Sequence, residues 1–263
     1  MDWSNNEAYR LVEALPAASC AWEFLRRNPD YQSAYRLAFA RPTQQVFSFL
    51  SDGSTIGNAV PDAAPWHLVR FEDPTLDAAR ANVFWQPESW RGVIPLLAIA
   101  LPDDEAERRP SFPPMQCRVT THRDLTGKHH VLFAQEGRFL QLEIHGAKDL
   151  RNIRLTTDVL ISAERARDRL RALKRLTDLL AHGTLRRSLY PAESRGRRFA
   201  RILQVFDGWR AGASHREIAA AIVGETRVAA HWRDPSEQLR DWVRRTLRSG
   251  RRLVAGGYIS LLK

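Results

Sequence analysis

The C-terminal end of the chain narrows the possible folds more than any other part. From Gln238 to Val254 the sequence QLRDWVRRTLRSGRRLV divides cleanly on a helical wheel of about 100° per residue. Leu239, Trp242, Val243, Thr246, Leu247, Leu253 and Val254 share one arc of about 140°. Arg240, Arg244, Arg245, Arg248, Arg251 and Arg252 fill a separate arc. A helix divided this way must bury one side and turn the other toward water or a polyanion. Solvated faces mix signs so that charges pair at i,i+4, yet between Arg240 and Lys263 the only acid is Asp241. Arginine is also suited to bidentate contact with guanine edges and phosphates. The expectation is a DNA-reading helix.

The residues before it fit that role. Ser214-His-Arg-Glu217 is a capping box, in which the Ser hydroxyl and the Glu carboxylate each satisfy one backbone amide. Ile218, Ala219 and Ile222 follow at helical spacing, and Gly224 ends the run. A dozen turn-like residues lead to Pro235-Ser236, where the arginine helix is expected to start. This order is that of a helix-turn-helix, with a gap well beyond the usual three- or four-residue turn. Arg240, Arg244 and Arg248, at i, i+4 and i+8, are expected to enter the DNA groove. Ser236 and Gln238, at the helix N-terminus, are placed to reach base edges or phosphates. Arg245, Arg251, Arg252, His215, Arg216 and Arg227 are assigned to the DNA backbone. A preceding helix, Glu193 to Arg210, would pack Phe199, Ile202, Leu203, Val205, Phe206 and Trp209 against this motif. Arg195, Arg197 and Arg198 at its N-terminal end read equally well as phosphate contacts or as solvated charge.

Charge is distributed in the same sense. Residues 1–160 hold 17 Lys and Arg against 20 Asp and Glu, whereas residues 161–263 hold 23 against 10. A near-neutral body joined to a basic C-terminal third is the electrostatic footprint of a nucleic-acid-binding module. Eight Trp and eleven Phe supply real cores. The expected fold class is α+β: a helical N-terminal module with a small antiparallel sheet, then an all-α helix-turn-helix domain. The expected boundaries are 1–65, 66–160 and 161–263. In the first part, Asn6–Leu15, Ala17–Arg27 and a helix restarting at Asn28-Pro29 are the predicted helices. Runs at Trp66–Phe71, Val83–Gln86, Val93–Leu101, Val131–Ala134, Arg138–Ile144 and Ile153–Leu160 read as strands, with a hairpin at Glu136-Gly137. Ser162–His182 reads as a helix with Leu170, Leu173, Leu176 and Leu180 inward.

Catalytic patterns are sparse. His122, His129, His130 and His145 lie near Asp124, but no HExxH, nucleophile elbow or phosphate loop accompanies them. They read as turn and strand-edge residues, and no enzyme activity or cofactor is expected; the alternatives to a DNA-binding regulator are an antiactivator-like module whose degenerate helix-turn-helix binds a protein, or a DNA-processing enzyme using these histidines. Cys20 and Cys117 stand far apart without a CxxC, so neither a disulfide framework nor a zinc site is expected. No membrane span or signal peptide is expected, and a cytoplasmic location, on the nucleoid when DNA-bound, is expected.

REIAAAIVG, RVAAHW, LRDWVRR, RSGRRL and AGGYISLL, all between Arg216 and Leu262, resemble a variant helix-turn-helix domain once catalogued as a domain of unknown function. AWEFLRRNPDY, Ala21 to Tyr31, resembles the transcriptional-regulator-like domain that often precedes it. The resemblance implies an activator of excision and transfer genes in proteobacterial integrative and conjugative elements. It implies operator DNA as partner, with a small antiactivator protein and the transcription machinery meeting the N-terminal module.

Overall fold

The computed structural model describes residues 2–40, 62–100, 113–147, 150, 153–157, 166–231 and 238–263. In chain order the helices and strands are α1 (Glu7–Glu13), α2 (Ala17–Leu25), α3 (Pro29–Ala40), β1 (Val93–Ala100), β2 (Arg118–Arg123), β3 (His129–Gln135), β4 (Arg138–His145) and β5 (Ile153–Thr156). Then come α4 (Ala166–His182), α5 (Gly196–Arg210), α6 (His215–Val223), α7 (Glu225–His231) and α8 (Gln238–Val254). A 3₁₀ turn at Gly257–Leu261 follows. The chain divides into two units, one formed by Met1–Leu25 with Arg186–Lys263 and the other by Arg26–Leu185.

This arrangement corrects the expected fold class. The chain is α+β, but a five-stranded mixed sheet occupies its middle and helices lie at both ends. It is not an N-terminal helix-and-sheet part followed by an all-α domain. α1 and α2 pack with α5, α8 and the 3₁₀ turn, whereas the notional N-terminal module would have kept them with the sheet.

In the Arg26–Leu185 unit the sheet order is β2-β3-β4-β1-β5. β3 and β4 form the expected hairpin, its two-residue turn made by Glu136 and Gly137 at φ 48° and 76°. Two consecutive left-handed residues match the twist of the strands they join. β1 pairs parallel with β4 and antiparallel with β5, so the sheet is mixed where an antiparallel one was expected. Pro95 lies at a register position before the β5 ladder begins at Leu97. β2 is an addition to the expected strands: its sequence RVTTHR is polar and mostly exposed. Trp66–Phe71 and Val83–Gln86 are not strands; a 3₁₀ turn at Ala64–Trp66 and one isolated bridge, Leu68 to Trp85, stand there. The Gln141 side chain serves this segment, accepting from the Trp85 amide at 3.0 Å and donating to the Trp85 carbonyl at 2.8 Å. Asn28 caps α3, its Oδ1 accepting from the Asp30 and Tyr31 amides, and the Tyr31 hydroxyl donates to the Glu72 carbonyl at 2.6 Å. On α4 the buried residues are Ala172 and Leu179, while Leu170 is 60% exposed. The inward stripe is therefore rotated from the leucine row read in the sequence, and the expected start at Ser162 lies outside the described residues.

The other unit is all helical and is built from both ends of the chain. Tyr9 on α1 donates to Asp207 of α5 at 2.7 Å. Gln204 of α5 donates to the Trp3 carbonyl and to Asn6 Oδ1. Phe24 of α2 meets Phe199 of α5 edge-on, ring centroids 5.4 Å apart. A Cβ at Gly196, the first residue of α5, would lie 2.5 Å from the Glu13 carbonyl oxygen and 3.1 Å from its carbon. Glycine there lets two backbones touch. Burial pushes the Cys20 thiol up to about 12, with the Glu193 and Glu23 charges acting in the same direction, so Cys20 behaves as a small core residue.

Two outcomes follow for this unit. Tyr9, Val12, Leu15, Trp22, Phe24 and Leu25 are all buried, and each such side chain is worth about 1.5–3 kcal/mol. Their sum rivals the roughly 5–15 kcal/mol stability of a typical domain. A fragment of residues 186–263 should therefore show no cooperative melting by circular dichroism, whereas a fusion of residues 1–25 to 186–263 should melt cooperatively. Gly196→Ala separates propensity from packing. Helix propensity alone predicts a gain of up to about 1 kcal/mol, but the backbone collision predicts a loss of about 1–3 kcal/mol, and a lowered urea midpoint is expected.

Candidate nucleic-acid interface

The capping box that starts α6 is formed: the Glu217 amide donates to Ser214 Oγ at 3.2 Å and the Ser214 amide to Glu217 Oε2 at 2.7 Å. Gly224 closes the helix at φ 93°. The following residues are not the long turn expected. Glu225–His231 forms α7, with Val228 fully buried, so the sequence segment that looked like an overlong gap holds a helix of its own. Among the residues assigned to the DNA backbone here, Arg216 is exposed and pairs with Glu225 at 3.6 Å. Arg227 is exposed and His215 half-buried.

α8 has the division of faces read in the sequence. Val243, Leu247, Leu253 and Val254 are buried, together with Gly250. Gly250 is the contact point with α5: a Cβ there would stand 3.2 Å from Phe206 Cβ and 3.3 Å from Ile202 Cγ2. Arg244, Arg245, Arg248, Arg251 and Arg252 are exposed, while Arg240 is half-buried. Two of the exposed arginines are engaged, Arg244 with Asp241 at 3.4 Å and Arg251 over the Trp209 ring at 4.2 Å. Gln238 is exposed at the helix start, and Ser236 lies outside the described residues. The i, i+4, i+8 row that is exposed throughout is Arg244, Arg248 and Arg252, one turn beyond the row starting at Arg240.

Beside the close approach of α5 and α8 lies an open groove of about 570 Å³. α5 and the residues just before it supply Arg195, Arg197, Arg198 and Arg201 to its wall. α8 supplies Trp242, Arg245, Thr246 and Ser249, spaced i, i+3, i+4 and i+7 along one face. Trp242 is half-buried, so it belongs to the groove lining as much as to the core. Arg195 is tied to Glu193 at 2.8 Å and lies over the Phe199 ring, and Arg197 reaches Glu13 at 3.8 Å. Arg198, Arg201 and Arg245 have no acidic partner among the described residues. Arg201 is a member of the wall that the sequence reading does not single out. The signal for it exists, because Arg198 and Arg201 continue the Arg195 stripe at i, i+3 spacing alongside Phe199, Ile202 and Phe206.

The histidines of the sheet are engaged in local structure. Asp124 accepts from the Thr126 amide and hydroxyl, from the Lys128 amide, and from His130 Nε2 at 3.1 Å. Burial alone would raise the Asp124 pKa, but these hydrogen bonds outweigh it and hold it down at about 2. His145 Nε2 and Lys128 Nζ both reach Glu143 Oε1, at 2.7 and 2.9 Å. Burial, with the Arg70 and His130 charges, lowers the pKa of His122. Among the described residues no three His, Cys, Asp or Glu side chains converge to hold a metal, and no helix is long and apolar enough to cross a membrane.

A helical unit whose longest amphipathic helix shows arginine outward, with a second row of arginine on the helix it crosses, is built to meet a polyanion. Comparison with known families gives that polyanion a name. Residues 155–263 match the family model described as "T6SS, Transcription factor, DNA binding domain", of RovC type. Residues 2–46 match the "Proteobacterial transcriptional regulator-like domain". None of the curated proteins compared with the chain matches it. The two family matches indicate a DNA-binding transcriptional regulator.

The uncompensated guanidinium groups make a prediction about stability. Arg198, Arg201 and Arg245 repel one another at low ionic strength, and that repulsion is screened over a Debye length of about 10 Å at 0.1 M salt. The melting temperature should rise as sodium chloride increases. In an Arg198→Ala/Arg201→Ala/Arg245→Ala variant the rise should be clearly smaller, as read by differential scanning fluorimetry.

Proposed function

We propose that the chain is a sequence-specific regulator that reads double-stranded DNA with the exposed face of α8. The observation that carries this reading is the row Arg244, Arg248 and Arg252, exposed on a helix whose opposite side is core. Three planar guanidinium groups one turn apart can follow a DNA groove and fork onto base edges. Arg240, half-buried, would support the row from behind, and Gln238 would meet the strand at the helix start. Arg251, His215, Arg216 and Arg227 would serve as phosphate contacts that fix register without reading sequence. α6 and α7 would then form the scaffold of a variant helix-turn-helix whose reading helix is α8.

The target genes are the finer part of the proposal. The sequence resemblance favours an activator of excision and conjugative-transfer genes on a mobile element, restrained by a small antiactivator protein. The matched family carries T6SS in its description, which offers a second class of target. Chromatin immunoprecipitation with sequencing separates them: occupied sites upstream of excision or transfer genes support the first, and sites confined to secretion genes overturn it.

Replacing Arg244, Arg248 and Arg252 together by Ala tests the reading face. Exposed substitutions of this kind usually shift stability by less than about 0.5 kcal/mol each, so the melting curve should hardly change. Operator affinity should weaken by about 1–3 kcal/mol for every arginine that forks onto a base in the native complex. If about six basic groups meet phosphates, the slope of log K against log salt should be near −5 and should flatten by about 0.9 for each phosphate-binding group removed. Fluorescence anisotropy at several salt concentrations measures both; unchanged operator affinity in the triple variant would overturn the assignment.

A further inference from the structure

We propose that the groove between α5 and α8 is a seat for a phosphate ester. Arg198, Arg201 and Arg245 would hold its phosphate, and the sugar or base it carries would lie against Trp242. Its members on α8 differ from those of the exposed row: Trp242, Arg245, Thr246 and Ser249 line the groove, whereas Arg244, Arg248 and Arg252 do not.

Three observations converge on this ligand class. The first is charge without compensation. Glu193 and Glu13 occupy Arg195 and Arg197, leaving three guanidinium groups that no described acid neutralises. Concentrating like charge in a concavity costs stability and gains nothing unless an anion enters. The second is an aromatic surface in the same lining. Trp242 could have been sealed into the core at its position on α8, yet it remains half-exposed beside Arg245. A flat indole next to guanidinium groups suits a ligand that is anionic at one end and a ring at the other. A bare carboxylate would use the arginines and leave the indole idle. The third is size and shape. About 570 Å³ falls within the range of sites that hold whole small molecules. Because the groove is open rather than enclosed, a polymer strand can also pass along it.

A phosphate ester of this kind has two sources, the backbone of a DNA strand and a free nucleotide. For the DNA source the inference rests on the DNA-binding reading above; for the nucleotide source it does not. In the first case the groove clamps the strand flanking the α8 contact. In the second it couples DNA binding to a nucleotide signal.

The full chain labelled with 5-fluorotryptophan tests the proposal by fluorine NMR, with the Trp242 resonance assigned from its loss in Trp242→Phe. A short random-sequence duplex, ADP and polyglutamate are titrated separately, and duplex binding is followed in parallel by anisotropy. Movement of the Trp242 resonance with duplex alone supports the site and identifies its source as DNA. Movement with ADP alone supports it with a free nucleotide as source, and movement with both supports a shared seat. In the Arg198→Ala/Arg201→Ala/Arg245→Ala protein, checked for an intact melting transition, the concentration giving half the shift should rise at least tenfold. The proposal is overturned if neither duplex nor ADP moves the resonance while anisotropy shows that the duplex binds. It is also overturned if polyglutamate moves the resonance as strongly as the phosphate esters do. Absence of duplex binding by anisotropy would instead defeat the DNA-binding reading, and the ADP titration would then decide the groove by itself.

Discussion

The approach of α8 to α5 at Gly250 is the constraint on which the helical unit depends. With no side chain at that point, Ile202 and Phe206 lie directly against the α8 backbone. Two helices packed so closely leave their flanks to diverge, and the divergence on one side is the groove that holds Trp242 and Arg245. The same contact fixes the rotation of α8. Once Val243, Leu247, Leu253 and Val254 are turned toward α5 and its neighbours, the arginines have nowhere to go but outward. α5 is gripped a second time at Gly196, where the end of α1 lies on its first turn. Packing density in protein interiors leaves little room for adjustment at such points, so the placement of the arginines is inherited from two positions that carry no side chain.

Electrostatics and packing answer to different rules here. The core of the helical unit is satisfied in detail: Tyr9 meets Asp207, Gln204 meets Trp3 and Asn6, and a reciprocal box caps α6. The arginine surface is not satisfied in this way. Some of its members are paired with an acid or an aromatic ring, while Arg198, Arg201 and Arg245 have no acidic partner among the described residues. Uncompensated charge of one sign beside a well-packed core is the usual signature of a surface whose partner is another molecule.

Local signals in the sequence are reliable where the physics is local. The Ser214 box, the Asn28 cap, the Glu136-Gly137 turn and the stops at Gly183 and Gly224 all depend on a few adjacent residues, and each is formed. The division of α8 into two faces is legible too, with the half-buried Arg240 and Trp242 as the departures from it. Non-local pairing is not legible. Nothing in VIPLLAIA indicates that β1 should run parallel to β4, and RVTTHR lacks the apolar alternation that marks a strand because β2 lies at the sheet edge. On α4 the row Leu170, Leu173, Leu176 and Leu180 misplaces the inward side, since the buried positions are Ala172 and Leu179. α7 is hidden because a seven-residue helix gives too short a pattern to stand out. At the candidate site the arginines of α8 are visible in the sequence, but the groove is not, since it exists only where two separate segments of the chain come together.

The closing of the helical unit by both ends of the chain has a consequence for how the protein is made. Tyr9 and Asp207 are 198 positions apart, and every residue of the sheet unit is synthesised between them. α1 and α2 therefore leave the ribosome with Trp22 and Phe24 uncovered and wait for partners that are made after the sheet unit. The sheet unit can complete its own contacts in the interval, so folding during synthesis proceeds from the middle of the chain outward. Long-range closure of this kind is slow relative to local folding, and uncovered aromatic surface invites misassembly while it lasts. The waiting time of an amino-terminal segment thus becomes a quantity that cells can tune through translation rate.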